Sequence, residues 1–138
     1  MMKNNKVLWM FISTIILIVA MSLTGCSKLQ TRIILMGESE HWRGEFDTTV
    51  TSGREENGEY TILYTKDNWG DIRGYKIDIN EGRNKRQEEG GLASNVIKFP
   101  ITRTKGSQVS SNEDQTIVIE WKDLNGNNFE EKLTLKEK

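Results

Sequence analysis

Ile117-Val118-Ile119-Glu120-Trp121-Lys122-Asp123-Leu124-Asn125-Gly126-Asn127-Asn128-Phe129-Glu130-Glu131-Lys132-Leu133-Thr134-Leu135 holds two apolar alternations separated by a polar turn with a glycine. Alternation at period two marks half-buried strands, so the stretch predicts a β-hairpin. Asn125-Gly126 would ordinarily propose a two-residue turn. That register sets Trp121 against Glu130 and splits the apolar face. A three-residue loop, Leu124-Asn125-Gly126 with Gly126 left-handed, sets Trp121 against Phe129 and Ile117 against Leu133. Burial of one face specifies register strongly, so the three-residue loop is expected. It leaves Glu131 pointing inward.

The same alternation extends outward along the chain. Trp42, Phe46 and Val50 share a face opposite Arg43, Glu45, Asp47 and Thr49. Tyr60, Ile62 and Tyr64 follow, then Tyr75, Ile77 and Ile79, then Ile97, Phe99 and Ile101. Pro100 faces outward in the last of these and lacks a ladder donor, which puts that strand at a sheet edge. Ile33-Ile34-Leu35-Met36 reads as a short strand buried on both faces. No helical stripe is visible after Cys26. Six or seven short strands with turns between them predict an all-β domain, an antiparallel β-sandwich of the immunoglobulin-like kind, with a small barrel as the alternative. Residues 60–79 and 116–135 also align without a gap through Lys66/Lys122, Asp67/Asp123, Gly70/Gly126 and Lys76/Lys132, each reading as strand, turn, strand.

The chain begins differently. Lys3 and Lys6 precede an apolar run from Val7 to Ala20, broken only by Ser13 and Thr14, and Leu23-Thr24-Gly25-Cys26 closes it. The run is shorter than the ~20 residues a spanning helix needs. A positive flank and a short apolar core are the marks of a signal peptide. The order aliphatic, small, Gly, Cys resembles the lipobox of bacterial lipoprotein precursors. That resemblance implies cleavage before Cys26, a diacylglyceryl group on its thiol, and a protein lipid-anchored at the extracytoplasmic face of the cell membrane. The expected organisation is a signal peptide over 1–25, a lipidated cysteine and short tether over 26–32, and a β domain over 33–138.

Removal of residues 1–25 takes Lys3 and Lys6 away, leaves 113 residues and moves the formal charge from −1 to −3. That length is one ordinary domain, and the charge balance offers no basic footprint for nucleic acid. Cys26 is the only cysteine, so the domain holds without a disulfide, and no thiol remains for a zinc site or a nucleophile. No cofactor is expected.

Candidate sites are few. Asp123-Leu124-Asn125-Gly126-Asn127 has the beginnings of a calcium loop, but its glycine comes early and Thr134 stands where a bidentate glutamate is needed, so no metal is expected there. His41 is the single histidine and reads as a surface residue at the start of a strand. Residues 81–91 mix charges of both signs and read as a solvated loop. Glu88 and Glu89 within it are the carboxylates for the alternative function, a cell-wall or polysaccharide hydrolase, which would need a defined separation between two acids. Ser107, Ser110 and Ser111 lie in a polar linker without a nucleophile motif. Trp42 and Trp121 belong to the core. Trp69, in the turn Asp67-Asn68-Trp69-Gly70-Asp71, is the candidate for partner binding, because exposed tryptophans are enriched at interaction hot spots.

Gly37-Glu38-Ser39-Glu40-His41-Trp42 followed by Gly44 resembles the "GES-x-x-W" opening of small lipoproteins of Gram-positive bacteria, and Ile119-Glu120-Trp121 running to Leu133 and Leu135 resembles their later hairpin. The resemblance implies an extracytoplasmic β domain and supplies no active site. The expected role is a non-enzymatic binding module, held to the membrane through Cys26 and engaging an envelope protein or cell-wall component.

Overall fold

The computed structural model describes residues 28–104 and 113–138, with Ile12 and Gly25 as isolated positions. Cys26, the expected lipidation site, lies outside the described residues, as do Ser107, Ser110 and Ser111. Among the described residues no helix is long and apolar enough to cross a membrane.

Eight strands form one antiparallel sheet: β1 Gln30–Glu38, β2 Trp42–Thr51, β3 Glu55–Tyr64, β4 Gly74–Ile79, β5 Asn84–Glu89, β6 Val96–Thr104, β7 Gln115–Lys122 and β8 Asn128–Glu137. A 3-10 turn, Asp67–Asp71, links β3 to β4. The order across the sheet is β5-β4-β7-β8-β1-β2-β3-β6. The all-β antiparallel character expected from the alternation is therefore present. Connectivity is more local than in an immunoglobulin domain, whose first two strands are followed across the sheet by the fifth. Here β1, β2 and β3 are successive neighbours, and β6 pairs next to β3.

The sheet curls so that its two halves face each other like the layers of a sandwich. A Cβ placed on Gly44 of β2 would lie 2.9 Å from Leu135 Cδ2 of β8 and 3.4 Å from Ile117 Cδ1 of β7. The halves are joined at one side by only two pairs between β1 and β8, Leu35 with Glu137 and Met36 with Lys136. At the other side the outermost strands β5 and β6 approach without a backbone ladder. Arg86 spans them, donating from Nη1 to the Lys98 carbonyl at 3.2 Å, with its guanidinium 5.9 Å from the Phe99 ring centre. The result combines the expected sandwich with an incompletely closed barrel.

The core is the inner face predicted by period two. Leu35, Trp42, Phe46, Tyr60, Ile62, Ile77, Ile79, Ile117, Ile119, Leu133 and Leu135 are fully buried. Phe46 and Tyr60, opposite each other on β2 and β3, stack with ring centres 4.1 Å apart. Such cross-strand aromatic pairs add to sheet stability beyond their area. The β7–β8 hairpin has the predicted register, Trp121 with Phe129 and Ile117 with Leu133. Asp123 N–H donates to the Asn127 carbonyl at 3.0 Å, and Gly126 is left-handed with φ +81°. Pro100 is exposed on β6, an edge strand as its missing donor requires.

Three expectations change. Residues 33–36 are not buried on both faces: Ile33 and Leu35 are inside while Ile34 and Met36 are half-exposed, because β1 lines one curled layer and has solvent on its back. Strand β1 also starts earlier, at Gln30, where the Ser52 N–H reaches the Leu29 carbonyl at 2.6 Å. Residues 84–89 of the charged segment form β5 rather than a loop. An edge strand needs a partner on one side only, and charged side chains are what keep such an edge from pairing further. Segments 60–79 and 116–135 are each strand, turn, strand as read from the sequence, but they differ in pairing. β7 and β8 are a paired hairpin, whereas β3 and β4 belong to different halves of the sheet and the turn 67–71 carries the chain between them.

Candidate functional site

The direction of β1 defines two ends of the domain. Leu29, the turn 52–54 and the turn 80–83 lie at the end where β1 begins. The turn 39–41, the 3-10 turn 67–71, the connection 90–95 and the hairpin tip 123–127 gather at the other, distal end.

Glu131 sits on the inner face of β8 at the distal end, where the hairpin register had put an unexplained acid. Its carboxylate is satisfied by the β1–β2 turn. The Ser39 hydroxyl and the His41 N–H donate to Oε2, the latter at 3.1 Å, and His41 Nδ1 lies 2.5 Å from Oε1. Burial pushes the Glu131 carboxyl up, but the hydrogen bonds from Ser39 and from the His41 backbone and ring outweigh it and hold the group below its ordinary range. Serine, histidine and glutamate are thus together, in an order unlike a charge-relay triad. Ser39 and His41 both donate to the carboxylate, so the hydroxyl is not held against an imidazole base. The arrangement clamps a turn onto a strand.

His41 is therefore not the plain surface residue expected from sequence. Its ring lies 5.7 Å from Trp121 and 6.0 Å from Tyr64, centre to centre. Around it, Trp42 meets Tyr64 at 4.9 Å and Trp121 at 5.6 Å, both edge-on, and Trp121 stacks on Phe129 at 5.2 Å. Trp42 and Trp121 are buried as predicted, and the Trp42 Nε1 donor has no partner among the described residues. Burial raises the Tyr64 phenol above its ordinary value, and its hydroxyl donates to Asn68 Oδ1 at 3.3 Å, pinning the 3-10 turn.

Glu40, His41 and Glu131 offer ligand atoms within 4.8 Å of one another. Both Glu131 oxygens already accept hydrogen bonds, so a cation there would have to replace the imidazole proton. The Asp123 side chain, once weighed as a calcium ligand, caps its own turn: Oδ1 accepts from the Asn125 and Asn127 N–H groups at 2.8 and 2.9 Å, and Oδ2 from Asn127 Nδ2 at 3.0 Å. Those bonds, the Asn127 side chain's first, lower its pKa. This is the turn chemistry that makes aspartate common there.

Trp69 is half-buried and packs against the core from the 3-10 turn. Glu88 and Glu89 stand exposed at the end of β5, with Glu88 in an ion pair with Arg86. Beside them an open groove of about 740 Å³ runs along Tyr75, Trp121 and Phe129. Phe129 and Leu124 are 41% and 54% exposed, and Leu29, 76% exposed, is at the opposite end.

A polar cluster that the sequence reading missed closes the other end. Glu56 is fully buried, accepting from Thr48 Oγ1 at 3.0 Å and pairing with Arg103 Nη1 at 3.4 Å. The Tyr60 hydroxyl donates to Gln115 Oε1 at 3.0 Å, and Asn80 donates to the same oxygen. Glu56 and Arg103 do follow the inner-face parity of β3 and β6, which is the one signal that could have found them. No family profile, curated protein or solved structure matches this chain.

Proposed function

We propose that the chain is a lipoprotein held at the extracytoplasmic face of the cell membrane by a diacylglyceryl group on Cys26, and that its β domain is a non-enzymatic binding module for another component of the envelope. The observation that carries the reading is the cysteine itself. It is the only one in the chain, it ends a short apolar segment with a positive flank, and it lies four residues before the first strand. Each acyl methylene buried in a bilayer contributes about 0.8 kcal/mol, so two or more chains on one cysteine hold a protein durably. An extended chain covers ~3.3–3.6 Å per residue, which keeps the start of β1 beside the headgroups.

The test is metabolic labelling with a clickable fatty-acid analogue. The wild-type protein is expected to take the label and to sediment with membranes, and Cys26→Ser to do neither. Labelling of the Cys26→Ser protein, or wild type that stays unlabelled in cells whose other lipoproteins label, overturns the proposal.

A further inference from the structure

Asparagine followed by glycine occurs twice in the chain, at Asn57-Gly58 and at Asn125-Gly126. The dipeptide is chemically labile, because glycine has no side chain to obstruct its own backbone nitrogen as it turns toward the asparagine side-chain carbon. Both asparagines are exposed, so access to water does not separate them. The backbone does.

Asn57-Gly58 lies inside β3, paired with Thr49 and Thr48 of β2 on one side and with Thr102 and Ile101 of β6 on the other. The Asn57 carbonyl accepts from Thr48 Oγ1 at 3.2 Å, and its Oδ1 accepts from Thr102 Oγ1 at 3.1 Å. A Cβ on Gly58 would stand 2.6 Å from Thr48 Cβ and 2.8 Å from the Asp47 carbonyl oxygen. Closing a ring from the glycine nitrogen to the asparagine side chain needs rotation of the peptide between them, and here that rotation is blocked from both neighbouring strands. Asn125-Gly126 lies in the loop between the end of β7 at Lys122 and the start of β8 at Asn128. Nothing comes within 4 Å of the place a Cβ on Gly126 would take. The Gly126 N–H is held by one turn bond, to the Asp123 carbonyl at 3.1 Å, and the Asn125 side chain makes no hydrogen bond among the described residues.

We propose that Asn125 is a site of spontaneous covalent modification in the folded protein, converting to aspartate and isoaspartate, and that the fold protects Asn57 from the same reaction. The Gly126 backbone nitrogen forms a bond to Asn125 Cγ and gives up its proton. The bond from Cγ to the side-chain nitrogen breaks, and ammonia leaves with that proton. Water then opens the five-membered imide. Attack at Cγ restores the normal backbone as aspartate, whereas attack at the α-carbonyl carbon leaves the main chain running through Cβ and Cγ as isoaspartate. Either route adds a carboxylate to a tip that already carries Asp123, and isoaspartate also lengthens the loop that sets Trp121 against Phe129. The reaction needs neither the lipid anchor nor a partner, so it is independent of the binding-module reading.

The test incubates the full chain in nonionic micelles in mildly alkaline buffer, with and without urea. Peptides are mapped by mass spectrometry over time, and electron-transfer fragmentation separates isoaspartate from aspartate. In the folded protein Asn125 is expected to convert at least about tenfold faster than Asn57, because a turn opens far more readily than a strand paired on both sides. In urea the two rates are expected to converge. Asn125→Ser, a change at an exposed hairpin tip, is expected to remove the product seen in the fold. A smaller margin between the two sites in the folded protein, or a margin that urea leaves unchanged, overturns the proposal.

Discussion

His41 Nδ1 and Glu131 Oε1 lie 2.5 Å apart across ninety residues of sequence, and that contact ties the β1–β2 turn to the last strand. A hydrogen bond to a charged group contributes more than a neutral one, about 1.5–3 kcal/mol. Glu131→Gln keeps the shape and loses the charge, so it is expected to destabilise the domain by about 1–3 kcal/mol. Denaturant midpoints measure it.

The same carboxylate makes stability fall in acid. Its pKa in the fold is below the ordinary 4.5, so its contribution is complete above that value and is lost as pH falls through the lowered one. Wild type is expected to lose stability more steeply than Glu131→Gln as pH falls below the ordinary carboxyl value and through the lowered one. Parallel pH profiles for the two proteins would show that Glu131 is not a source of the acid sensitivity.

Glu56 and Arg103 form an ion pair turned inward from β3 and β6, with side chains 0% and 13% exposed. Removing one partner of a buried pair strands the other, at about 3–5 kcal/mol. Arg103→Met and Glu56→Leu are each expected to approach that loss, and the double variant to cost much less than their sum. A double-mutant cycle in urea decides it; additive losses would mean the two charges do not compensate each other.

Gly37 follows directly on the two-pair joint between β1 and β8. A Cβ there would sit 2.2 Å from the Thr134 carbonyl oxygen, which is backbone and cannot swing away. Gly37→Ala is expected to cost about 3 kcal/mol or more, at the severe end of overpacking. Gly70→Ala, with open space around it and no positive φ, should stay within about 0.5 kcal/mol of wild type. Thermal melts of the pair check both.

Trp121 touches Trp42, Tyr64, His41 and Phe129, and truncating a buried tryptophan costs about 3–5 kcal/mol. Trp69 is half-buried, so Trp69→Ala is expected to lose about half as much. Equal drops in melting temperature would place Trp69 wholly in the core and remove it from the candidates for partner contact.

Much of the fold was legible because burial on one face leaves a mark at every second residue. The Trp121–Phe129 register came from parity alone, and Pro100 named an edge strand. Strand β5 was hidden, since Asn84–Glu89 carries no apolar residue and its pairing is all backbone. The eight-strand order was also out of reach: nothing local in β1 or β8 says that Met36 will meet Lys136. For the same reason the Glu131 clamp could be seen only as an anomaly. An inward acid signals that a donor is needed, and the donors lay in a turn ninety residues away. Trp69 drew notice as a large aromatic in a turn, whereas Leu124 and Phe129 passed as ordinary hairpin residues because exposure is not written in period two.

The joint between β1 and β8 also sets how the protein carries load. Were the chain anchored ahead of β1 and gripped at the hairpin tip, tension would run through β1, which is laced to β2 along its whole length, and cross to β8 through two rungs. Those rungs and the Ser39–His41–Glu131 clamp are the rivets in that line, one near the end of β8 and one near its beginning. Pulled from both ends, the domain would open there first, like a book parting at its spine, while each four-strand cover stayed whole.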